Sequence, residues 1–186
     1  MTKIVIVPGL NNSGPQHWQS WLETRVPSGS RIVMPDWATP DLKGWTQAVL
    51  DALEKVGPGA ILVAHSFGCL ATIRALQRSR RNAMGALLVA PADPVKFHLD
   101  RDAFSLPLPI RSVLVGSEND PWMRCRDAQE LAHGLGAEFL NLGRVGHINV
   151  ESGHGPWPGV TKLVRGLERP VVRTFRTEFS ARSAVR

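Results

Sequence analysis

The sequence predicts an α/β fold: a mostly parallel sheet of about six strands with helices on both faces. Three observations predict it. Short apolar runs alternate with segments of helical period along the first 167 residues. Runs such as AILVA (60–64) and ALLVA (86–90) are apolar throughout, as strands covered on both faces must be. Glycine and proline punctuate the ends of these segments, at Pro8-Gly9, Pro35 and Gly57-Pro58.

The elements follow in order. Residues 3–7 (KIVIV) are β-branched and form the first strand. Residues 15–25 follow as a helix with Ser13 as a candidate cap, and 31–34 form a short strand stopped by Pro35. Residues 41–56 place Leu42, Trp45, Val49, Leu53 and Val56 at helical spacing, closed by Gly57 and Pro58. Strand 60–64 leads into a helix over 67–79 that is rich in small residues near its start. Strand 86–90, a strand over 111–116 and a helix over 125–133 come next, then a strand over 137–142. A helix over 157–167 closes the body, with Pro158 tolerated in its first turn and Trp157 as its anchor.

At 186 residues the chain has room for one catalytic domain, placed over 1–167. Residues 168–186 break the pattern and read as a basic, flexible tail, with an added edge strand or a protein contact as the alternative. Residues 165–186 carry six arginines against two glutamates, so four of the six net positive charges sit there. The body is nearly neutral and has no basic stripe interleaved with aromatics, which argues against nucleic acid. No apolar run approaches the roughly 18 residues that span a bilayer, so no membrane partner is expected. The start lacks a signal peptide's charged and apolar regions, and Cys69 and Cys125 form no disulfide framework. A cytoplasmic protein with buried or free thiols is the expectation, and no metal or other cofactor is expected.

The most specific local feature is Ala64-His65-Ser66-Phe67-Gly68, where an apolar strand meets a helix. A nucleophilic serine at such a junction sits on a sharp turn, with small residues two before and two after it. Ala64 and Gly68 meet that need, alanine adding one methyl where glycine is commonest. The helix start favours developing negative charge, and the Phe67 N–H is the expected oxyanion donor. His65 reads as part of the turn's packing.

A serine hydroxyl needs a base, and the base needs an acid that orients it; the chain order should be Ser, acid, His. Asp120 follows strand 111–116, with Glu118 and Asp93 as competing carboxylates. His147 follows the last strand in a glycine-bearing loop, with His154 as the fallback. His17, His98 and His133 fall outside the expected place and read as surface or packing residues. The second oxyanion donor should come from Pro8–Gly14: the Leu10 N–H, or failing that Asn11. Asn11, Trp18 and Trp122 lie close enough in sequence to line a substrate pocket.

Four segments together, PGLNNSGPQHW, AHSFG, SENDPW and GHINVESGHGPWPG, resemble the small α/β-hydrolase family that includes retinoblastoma-binding protein 9 and the bacterial YdeN-like proteins. The resemblance covers roughly residues 3–167 and leaves the basic tail outside. It implies a compact core without a large lid domain. It carries the nucleophile to Ser66, the acid to Asp120 and the base to His147. It also implies serine hydrolase activity on a small ester or amide, esterase-like or amidase-like. No LxCxE segment is present, so a retinoblastoma partner does not carry over. The alternatives are a non-catalytic binding or regulatory protein on the same scaffold, and an acyltransferase.

Overall fold

The computed structural model describes residues 3–26, 28–79 and 83–168. Strand β1 (Lys3–Val7) lies between β2 (Gly29–Arg31) and β3 (Ala60–His65), and pairs with both in parallel. Beyond β3 follow β4 (Ala83–Val89), β5 (Arg111–Gly116) and β6 (Glu138–Asn141), also parallel. The sheet order is β2-β1-β3-β4-β5-β6, an all-parallel α/β-hydrolase core as the sequence predicts.

Side chains alternate across each strand, so the apolar runs divide between two cores. Val5, Val7, Leu62, Ala64, Leu88 and Leu114 pack under α2 (Leu42–Val56), α3 (Phe67–Arg78) and α4 (Cys125–Leu135). Ile4, Ile6, Ile61, Val63, Leu87 and Val89 pack against α1 (Trp18–Glu23) and α5 (Gly159–Leu167) on the other face. Continuous hydrophobicity in β3 and β4 is thus explained by burial on both sides.

Two elements differ from the sequence reading. The first helix starts at Trp18, capped by the side chain of His17. Ser13 is not its cap: its hydroxyl donates to Gln19 Oε1 at 2.6 Å, inside the fold. The second strand ends at Arg31, because the chain leaves the sheet after the Ile32 N–H reaches Ile6 O, and Val33 is 85% exposed. Short 3₁₀ turns at Pro94–Phe97 and Val150–Ser152 were not legible as periodic segments. The expected tail lies outside the described residues beyond Glu168. Among the described residues, no helix is long and apolar enough to cross a membrane.

The sheet order places the site. From β1 the chain crosses outward to β2, then returns past β1 to β3 on its other side. The loops at the carboxyl ends of β1 and β3 therefore diverge and leave a crevice, the usual ligand position in open α/β sheets.

Candidate active site

Ser66 stands between β3 and α3 with φ 54° and ψ −126°. That is a region L-residues rarely adopt, and it costs of order 1–3 kcal/mol. The turn exists because strand and helix pack tightly around it. A Cβ on Gly68 would enter the carbonyls of Val7 and Pro8, and a Cβ on Gly9 would stand 2.7 Å from that of Ser66. The Ser66 N–H is tied to Val89 O at 3.1 Å, which fixes the turn to β4.

The structure brings the three expected residues together. His147 Nε2 is 2.9 Å from Ser66 Oγ, and His147 Nδ1 is 2.9 Å from each oxygen of Asp120. The Asp120 side chain is only 3% exposed and also accepts the Trp122 N–H at 2.8 Å. Its competitors are engaged elsewhere. Asp93 accepts two bonds from Arg101 at 3.0 Å, and Glu118 accepts from Asn141 at 3.2 Å. His154 instead sets its ring edge-on to Trp157.

The His147 loop is held from several directions. Gly146, at φ 62°, donates its N–H to Asn119 Oδ1, and the Val145 N–H reaches Ser117 Oγ. Trp18 Nε1 donates to Ile148 O at 2.8 Å. His65 Nε2 lies 2.9 Å from His147 O, and a carbonyl only accepts, so the proton sits on Nε2 of His65. Burial pushes the His65 imidazole well below its ordinary pKa, with the charges of His147 and His17 next, which keeps this donor neutral.

The loop after β1 is anchored through Gln19, which is fully buried. Its Nε2 donates to Val7 O at 3.2 Å and Val63 O at 3.0 Å, bridging the ends of β1 and β3. The Asn11 N–H is spent on Trp37 O, whereas the Leu10 N–H meets no acceptor among the described residues. Phe67 opens α3, where helix geometry leaves the first N–H groups unpaired.

A cavity of about 340 Å³ opens over Ser66 and His147. Asn11 and Trp122 line it, together with Leu10 and Phe97. The assignment of Trp18 to the pocket is corrected: the ring is fully buried against Trp157 and His65, and its Nε1 holds the His147 loop at Ile148 O. His17 corrects the reading in the other direction. It forms part of the cavity wall, in ring contact with His65, which in turn contacts His147. Gln19, Phe97, Asn149 and Glu151 also escaped sequence reading, because each gains its place through contacts distant in the chain. Cys69 is buried and its thiol is pushed upward by that burial, so it remains protonated.

The parallel sheet with a serine-bearing turn at its carboxyl edge defines an α/β-hydrolase. A family model described as serine hydrolase matches residues 4–166, and the chain belongs to that family. A YdeN-like protein from Pectobacterium atrosepticum has a solved structure that is similar at a TM-score of 0.86 and 36% identity, covering 90% of this chain and 91% of that one. YdeN of Bacillus subtilis is 26% identical over 175 residues, 85% of this chain and 92% of YdeN. The carboxylesterase CesB of Bacillus subtilis shares the fold, at a TM-score of 0.65 and 12% identity, over 89% of this chain and 83% of that one.

Proposed function

We propose that the chain cleaves a small ester or amide through an acyl-enzyme on Ser66. The observation that supports this best is the unbroken series Asp120, His147, Ser66, each step 2.9 Å. His147 takes the serine proton as Oγ attacks the carbonyl carbon, and Asp120 orients the ring and steadies the imidazolium. The Leu10 and Phe67 N–H groups receive the oxyanion; one such donor supplies about 3 kcal/mol. His147 then protonates the leaving alcohol or amine, and water, deprotonated by the same ring, releases the acid. Transfer to an acceptor other than water would use the same acyl-enzyme. Residues 1–167 form the catalytic domain in this reading.

A fluorophosphonate probe followed by mass spectrometry tests it. The wild-type protein should carry the label on Ser66, and Ser66→Ala should not. A folded wild-type protein that takes no label would overturn the reading. Product analysis with competing alcohols and amines separates hydrolysis from transfer.

A further inference from the structure

The cavity over Ser66 carries donors that acyl transfer does not use. His17 is 5% exposed and lines the same cavity as Ser66. Its Nδ1 accepts the Gln19 N–H at 3.1 Å, which leaves the proton of the neutral ring on Nε2. Among the described residues Nε2 meets no acceptor, although the ring is packed between Trp18 and His65. Burial lowers the His17 pKa to about 4, with Arg31, His147 and His154 next in effect, so the ring is an uncharged donor near neutral pH. His17 lines the cavity, so a group that accepts from this N–H must come through the cavity.

Asn149 repeats the arrangement. Its Oδ1 accepts the Ser152 N–H at 3.0 Å, so the amide's Nδ2 is the end left for a ligand. Glu151 lines the same cavity and has no ion-pair partner among the described residues. Its carboxylate disfavours an anionic group there, whereas neutral oxygen acceptors suit both donors.

We infer that His17 Nε2 and Asn149 Nδ2 form a subsite for an uncharged oxygen acceptor of the substrate, a second carbonyl or an ether oxygen a few bonds from the scissile carbonyl. The inference rests on the acyl-enzyme reading for which carbonyl is scissile, while the subsite itself is a matter of binding. With Leu10, Phe97 and Trp122 lining the rest of the cavity, the substrate class is an ester or amide with an apolar arm and a second acceptor.

Binding to the Ser66→Ala protein tests this without turnover. The probes are methyl 4-oxopentanoate and methyl pentanoate, which differ by one ketone oxygen. Imidazole ¹⁵N spectra should show the His17 Nε2 resonance moving with the ketoester and not with the plain ester. The ketoester should bind about five- to tenfold more tightly, the worth of one neutral hydrogen bond. Adding His17→Asn, which keeps a capping acceptor for α1, should erase that preference. Asn149→Asp keeps the Ser152 acceptor but removes the amide donor, and it should do the same should the first variant misfold. Equal binding of the two esters by Ser66→Ala, an unmoved His17 signal, or a preference surviving both substitutions would overturn the subsite. Fluorophosphonate labelling of wild type judges the nucleophile separately: label without preference refutes only the subsite, and preference without label refutes only the nucleophile.

Discussion

The turn at Ser66 and the loop that carries His147 hold their side chains by opposite means. The turn is local: five consecutive residues, a backbone at φ 54°, and glycine at 68 where any Cβ would meet the carbonyls of Val7 and Pro8. The loop is distributed. It hangs on Trp18, His65, Ser117 and Asn119, which come from three separate parts of the chain. A local device fails at once when either of its tight contacts, at Gly68 or at Gly9, is filled. A distributed device yields in small steps, because each tether contributes only about 1 kcal/mol net.

The largest effect should come from the turn. Ser66→Ala should lower kcat/KM on any ester substrate by about 10⁴-fold or more. Ser66→Gly should be equally inactive yet more stable by about 1 kcal/mol, because glycine accepts positive φ without strain. A chemical denaturation curve checks the second claim; an unchanged or lower midpoint would show that the backbone at 66 stores no strain. Next comes Gly68→Ala, which should cost about 3 kcal/mol and suppress labelling of Ser66, since backbone carbonyls cannot move aside as a flexible side chain would.

The legibility of the two regions followed the same division. Strand AILVA, the serine and the small residues beside it are contiguous, so the sequence pattern located the turn without help. Asp120 is favoured by its place after strand 111–116 but has competitors in Glu118 and Asp93, and the family resemblance serves to choose among them. The structure separates it from Asp93 by a contact no spacing predicts, the ion pair of Asp93 with Arg101. Trp18 was misread for the same reason. An indole near a loop of glycines suggests a pocket wall, but its place is set by Ile148, 130 residues away. His17 and Gln19 gain their places by burial against β1, β3 and the rings near His147, and burial of this kind leaves no local period to read.

Smaller effects belong to the loop. Trp18→Phe removes the bond to Ile148 O while keeping an aromatic in the core. It should cost about 1–2 kcal/mol and slow labelling several-fold without abolishing it. If labelling vanished, the loop would depend on one tether and the contrast with the turn would fail. The mildest test is pH. The folded chain holds His65 well below its ordinary pKa and His17 at about 4, whereas the unfolded chain protonates both near 6.5. Between those values the unfolded state binds more protons, so stability should fall as pH drops from about 7 toward 4. Urea midpoints measured across that range should decline, and His17→Asn should flatten part of the slope.

Gln19 sets an order of events for a chain leaving the ribosome. Its carboxamide needs acceptors on Val7 and Val63, so the loop after β1 cannot lock until more than forty further residues have been made and β3 has docked. The loop after β1 is thus provisional during synthesis. It becomes part of the cavity wall only when the middle of the chain arrives to close the amide between two strands.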